Sequence, residues 1–147
     1  MDYRKAEISD IKTLVTFRRQ QLIDEGQVPA FSIDNELTQY FERCLTDGSL
    51  VQYFAVEDGT IVATGGMHLY AYPPCFKNPS DKMAYIVSIY TLPEYRGKGI
   101  ATAIMHILIK EANLRGFGRI RLQASEGGRP VYEKLGFKDT LGFMTKE

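Results

Sequence analysis

The residues best suited to chemistry lie in one stretch, Tyr90-Thr91-Leu92-Pro93-Glu94-Tyr95-Arg96-Gly97-Lys98-Gly99-Ile100-Ala101-Thr102. An apolar run from Met83 to Leu92 ends in a short loop with two glycines and two cations, and a helix-forming segment starts immediately after. The first amides of a helix have no intrahelical partner and point outward. The helix dipole adds partial positive charge at that end. Glycine permits φ > 0 and close approach of backbone to a ligand. Together these features make a cradle for phosphate. Arg96 and Lys98 add charge, and Thr102 adds a hydroxyl one turn in. Glycine spacing alone fits a plain tight turn equally well. Two common phosphate loops fit poorly: Gly99 and Ile100, not Ser or Thr, follow Lys98, and position 102 is Thr where the dinucleotide fingerprint has Gly or Ala.

Tyr132 is the second candidate. A phenol with a reference pKa near 10 is protonated at neutral pH and can donate a proton. On residue type alone it also fits a packed aromatic. His106 falls on the polar stripe of a helix and reads as solvated, and His68 beside Met67 and Leu69 reads as a hydrogen-bonded strand residue. Neither has the neighbours of a metal site, so no metal is expected. Cys44 fits an apolar helix stripe and Cys75 a Pro-rich loop, which argues against a disulfide between them.

These groups need elements to hold them. Arg4 to Ile8 reads as a short strand, and Ser9 caps a helix to Glu25 that Gly26 ends. A second helix follows Asp34, with Leu37, Tyr40, Phe41, Cys44 and Leu45 at helical spacing and Gly48 as its stop. Leu50 to Val56 and Thr60 to Tyr72 are rich in β-formers and flank Glu57-Asp58-Gly59, a hairpin signal. Tyr72 to Asp81 is a long loop, and loops of that length are often functional. Met83 to Leu92 is apolar enough for a central strand covered on both faces. A largely buried helix covers Gly99 to Arg115, with Thr102, His106, Lys110 and Asn113 as its polar stripe. A strand over Arg119 to Gln123, a short helix over Gly128 to Leu135 and a closing strand over Phe137 to Thr145, broken near Gly142, complete the pattern.

The alternation of helical and strand periods predicts an α/β or α+β fold. A length of 147 residues suits one compact domain spanning residues 1–147. Eighteen basic residues balance eighteen acidic ones, so nucleic acid is not expected as a partner. The first residues, Met1-Asp2-Tyr3-Arg4-Lys5-Ala6-Glu7, have no apolar signal region, and no apolar run approaches the roughly 20 residues of a membrane span. The expected location is the cytoplasm, with no membrane partner.

Arg96-Gly97-Lys98-Gly99-Ile100-Ala101 resembles the acetyl-CoA-binding signature of the GNAT superfamily of N-acetyltransferases: Gln or Arg, two residues, Gly, one residue, Gly or Ala. Tyr132-Glu133-Lys134-Leu135-Gly136-Phe137 looks like that family's closing motif, and the order of elements agrees across nearly the whole chain. The resemblance implies a mixed, mostly antiparallel central sheet flanked by helices. It implies transfer of an acetyl group from acetyl-CoA to an amine by direct attack in a ternary complex. The alternative is a GNAT-like module that senses or binds acyl-CoA without catalysis; a homodimer is compatible with either.

Carried over residue by residue, the resemblance puts the pyrophosphate on the amides of Gly97, Lys98, Gly99, Ile100 and Ala101, with Thr102 supplying a hydroxyl and Arg96 in the signature's first place. The pantetheine arm would pair with the backbone of Ile89 and Thr91, on a strand splayed from Arg119 to Gln123. Ile89 N–H would stabilise the oxyanion and Tyr132 would protonate the leaving thiolate. Two departures stand out. Ser125 occupies a position where many members have an Asn whose amide bonds the cofactor, a bond the Ser125 hydroxyl would make in a shorter version, and Tyr85 one where some have a Glu base. Arg129 could reach a phosphate, although a solvated helix residue fits it better. The first two helices and the Tyr72 to Asp81 loop would shape the acceptor pocket. Asp24, Glu25, Asp34, Glu36 and Glu42 there suit a cationic amine or, equally, a solvated acidic face.

Overall fold

The computed structural model describes residues 1–140 and 142–147. Strands β1 (Asp2–Lys5), β2 (Leu50–Glu57), β3 (Thr60–Ala71), β4 (Lys82–Thr91) and β5 (Arg119–Leu122) form one sheet in the order β1-β2-β3-β4-β5. Every pairing is antiparallel except β4 with β5, which is parallel. Helices α1 (Ile11–Asp24) and α2 (Asp34–Asp47) cover one face, while α3 (Ile100–Leu114) and α4 (Arg129–Lys134) cover the other. This is the mixed, mostly antiparallel arrangement expected.

Each face has its own core. Leu14, Phe41, Cys44, Leu50 and Phe54 pack together under α1 and α2. Val51, Met67, Ala84, Ile104, Met105 and Leu108 pack together under α3. Alternating residues of the strands supply the two sets, as period-2 side-chain direction requires. The tight turn between β2 and β3 has Asp58 at φ 50° and Gly59 at φ 77°, the left-handed pair of a type I′ hairpin.

Three local expectations need correction. The first strand is Asp2–Lys5 rather than Arg4 to Ile8, because Ile8–Asp10 turns into a 3₁₀ helix. That turn is capped by a reciprocal Glu7–Asp10 box, not by Ser9, before α1 begins at Ile11. The closing strand expected over Phe137 to Thr145 does not form at residues 137–140 or 142–145; Leu141 lies outside the described residues. The Phe137 N–H bonds Tyr132 O and its ring meets the Tyr132 ring, which draws the chain back onto α4. Gly142 then adopts φ 116°, outside any strand conformation.

The feature that matters most for the site is the end of β4. Gly66 pairs with Val87 and Thr64 with Tyr90, so Ser88 and Ile89 stand opposite Gly65 alone. This is a β-bulge, and Ser88 takes φ 55° to make it. A Cβ on Gly65 would lie 2.5 Å from Ile89 Cδ1 and 2.6 Å from Ile104 Cγ2, so only glycine lets the bulge settle against α3. On its other edge β4 pairs with β5 only over Met83–Ile86. Beyond Ile86 the two strands part, and the expected splay is present.

Candidate active site

Glycine conformation builds the loop after β4. Pro93–Tyr95 forms a 3₁₀ turn, then Gly97 (φ 73°) and Gly99 (φ 76°) both take the left-handed region. Gly99 is the N-cap of α3, so the amides of Ile100, Ala101 and Thr102 lie in the first helical turn, where intrahelical acceptors are lacking. No atom lies within 4 Å of where a Cβ would stand on Gly97 or Gly99, which leaves the loop open on that side.

A cavity of about 850 Å³ opens over this loop. Its walls are the C-terminal end of α1, the parted end of β4, the loop with the first turn of α3, and the segment from Ser125 through α4. The structure brings together Ile89, Thr91, Arg96, Gly97, Gly99, Ile100, Ala101, Thr102, Ser125 and Tyr132 on those walls. Lys98 is the exception: its Nζ sits 4.9 Å from the centre of the Tyr95 ring, and it is not part of the wall.

Tyr132 is buried at 8% exposure and has its proton held up to about 12, by burial first and by the Glu25 carboxylate second. A Cβ on Gly128 would fall 2.8 Å from its Cε2 and 3.1 Å from its Oη, so the glycine gives the phenol its place. Ser125 Oγ accepts the Gly128 N–H at 3.1 Å and thereby shapes the same turn.

Arg96 faces inward. Its Nε donates to Thr91 O at 2.9 Å and its Nη2 to Asp24 Oδ2 at 2.9 Å, with the guanidinium over the Tyr90 ring. Asp24 also accepts the Tyr90 hydroxyl at 2.6 Å and the Gln20 amide at 2.8 Å. These bonds, the Tyr90 one foremost, hold the Asp24 carboxyl below its usual range. The clasp fixes the end of α1 against β4 and the glycine loop.

The remaining candidates lie elsewhere. Arg129 is committed to Asp139 at 3.0 Å and Glu133 at 3.6 Å and does not line the cavity. Tyr85 pairs across strands with His68, away from the cavity wall. His68 shares a hydrogen bond with the Tyr40 hydroxyl, as a structural histidine would, and burial lowers its pKa. His106 is exposed. Cys44 is buried and Cys75 exposed, and both are free thiols.

Residue-by-residue reasoning missed Gln21. It is buried, and its Nε2 donates both to Glu25 Oε1 at 3.0 Å and to Ile89 O at 3.3 Å. The four-residue spacing of Gln21 and Glu25 is visible in the sequence. Their position beside the bulge of β4 is not.

A helix N-terminus opened by two left-handed glycines, beside a strand edge that β5 leaves free, has the form of a site for an extended ligand with an anionic group. A model of the acetyltransferase (GNAT) family matches residues 12–137, and the chain belongs to that family. A predicted acetyltransferase of Clostridium acetobutylicum, crystallised with acetyl-CoA, is 43% identical and superposes with a TM-score of 0.96 over 99% of this chain and 95% of its own. A GCN5-related N-acetyltransferase of Ralstonia eutropha JMP134 is 26% identical, with a TM-score of 0.93 over 99% and 97% of the two chains. Glucosamine 6-phosphate N-acetyltransferase of Trypanosoma brucei brucei is 30% identical over 80 residues, 54% of this chain; the match spans about half (52%) of that relative. Among the described residues no helix is long and apolar enough to cross a membrane.

Proposed function

We propose that this protein transfers the acetyl group of acetyl-CoA to an amine by direct attack within a ternary complex. The observation that carries the reading is one cavity that joins the open glycine loop, the parted end of β4 and the Tyr132 phenol. Family membership and the relative crystallised with acetyl-CoA supply the co-substrate.

In this reading the amides of Gly97 to Ala101 and the Thr102 hydroxyl hold the pyrophosphate, with Lys98 contributing its backbone rather than its charge. Arg96 positions the loop through Asp24 and Thr91 O. The Thr91 backbone lies on the edge that β5 leaves free, where an extended arm can pair as an added strand. Ile89 N–H, beside the bulge, is the donor for the oxyanion that forms when the amine attacks. Tyr132 supplies the proton to the departing sulfur. Ser125 acts through the Gly128 turn that places the phenol. Direct attack needs both substrates in one space, which the single cavity supports.

The test is thiol release on mixing the protein with acetyl-CoA and a panel of primary amines, headed by glucosamine 6-phosphate, the substrate in the relative's name. Turnover with any of them supports the reading. CoA binding by calorimetry with no release across the panel would leave a binding module instead.

A further inference from the structure

The acetyl-transfer reading leaves one step without a residue. Near neutral pH only about one part in a thousand of an alkylamine with a pKa near 10.4 is neutral and able to attack. Tyr85, where some relatives have a base, is off the cavity wall.

Two neighbouring carboxylates reach the cavity from the end of α1, and their surroundings differ. Asp24 is occupied by Tyr90, Gln20 and Arg96. Glu25 accepts only the Gln21 amide among the hydrogen bonds of the described residues and forms no ion pair there. Gln21 itself is 6% exposed, and the same amide nitrogen reaches Ile89 O. A buried side chain therefore ties the Glu25 carboxylate to the residue whose N–H faces the reacting carbonyl in the proposed mechanism. Across the cavity the Glu25 charge is felt at Tyr132. Glu126 also lines the cavity and, like Glu25, is exposed, but no side-chain hydrogen bond orients it among the described residues.

We propose that Glu25, oriented by Gln21, anchors the incoming ammonium and accepts its first proton, which commits the acceptor to the class of cationic primary amines. This rests on the acetyl-transfer reading. An ammonium N–H bond breaks, its proton passes to the Glu25 carboxylate, and the freed nitrogen lone pair forms the new N–C bond. The C–S bond breaks and the sulfur is protonated from Tyr132. A second amine proton returns to Tyr132 through water, and Glu25 releases its proton to solvent. One ammonium and one thioester thus give one amide, one thiol and one proton.

The experiment compares Glu25→Gln with the unaltered protein on two kinds of acceptor. Spermidine and 2-phenylethylamine arrive charged, whereas hydroxylamine is neutral at the same pH. The best charged acceptor should lose about 10²-fold or more in kcat/KM, as general-base catalysis is worth, while hydroxylamine changes by no more than about threefold. Gln21→Leu should lower the same charged-to-neutral ratio, by less. A readout independent of turnover is melting temperature with CoA present. The charged acceptor should raise it in the unaltered protein, its alcohol analogue should not, and Glu25→Gln should abolish the rise. Equal loss on both acceptors, no loss on either, or the same pattern from Glu126→Gln instead would overturn the assignment. Failure of the unaltered protein to acetylate any amine, hydroxylamine included, would sink the transfer reading and Glu25's role with it.

Discussion

Replacing Tyr132 by Phe removes one oxygen and keeps the ring that meets Phe137 and the α3-side core. The fold should survive, and the loss should appear in turnover. Its size follows from the phenol's surroundings. The Tyr132 proton is held up to about 12, whereas an ordinary thiol has a value of about 8.5. Tyr132 hydrogen-bonds the sulfur as negative charge develops there and passes its proton to it as the C–S bond breaks. A hydrogen bond to a charged group is worth about 1.5–3 kcal/mol, which is about 10- to 150-fold in rate. The expected fall in kcat is of that size, with CoA affinity unchanged in calorimetry and the thermal transition retained. A group titrating near 12 stays protonated through neutral pH, so the activity profile between about pH 6 and 9 should keep its shape. Unchanged kcat, with chemistry shown to be rate-limiting, would reduce Tyr132 to a packing residue. A matched loss of CoA affinity would make it a ligand contact.

Gly99→Val places a β-branched residue at φ 76°, where the left-handed backbone costs about 1–2 kcal/mol; CoA binding by calorimetry should disappear while circular dichroism still reports a folded protein. Arg129→Ala should leave CoA affinity within about twofold, and dephospho-CoA should bind the two proteins alike, because Arg129 already pairs with Asp139 and Glu133 on a surface where such pairs matter little. Asp24 has a folded pKa below its unfolded value near 3.8, so its contribution is fully present above that value and is lost as pH falls through the lower folded one. Asp24→Asn should therefore lower the melting temperature at neutral pH, and the gap should narrow as the pH falls below the unfolded value near 3.8; a gap that widened there would reverse the sign.

The sequence by itself determined most of the elements and the glycine loop after β4. Left-handed glycines at 97 and 99 followed by an apolar helix can be read locally, because a phosphate cradle is built from consecutive backbone amides. The hairpin at Asp58-Gly59 and the helix stops at Gly26 and Gly48 are equally local. The tertiary structure decided what faces that cradle. The Ser88–Ile89 bulge depends on Gly65 from β3 and Ile104 from α3, which no window around residue 88 contains. Arg96 reads as a free phosphate ligand until α1 brings Asp24 to it, 72 positions away in the chain. Lys98 turns onto Tyr95, and Arg129 onto Asp139. Phe137 onward alternates like a strand, yet a strand also needs a partner edge, and the contact with Tyr132 claims its first residue. Gln21 and Glu25 are an ordinary helical pair in the sequence and become part of the cavity only through Ile89 O. Local propensity reports what a segment can form; long-range packing selects which side chains remain free to act.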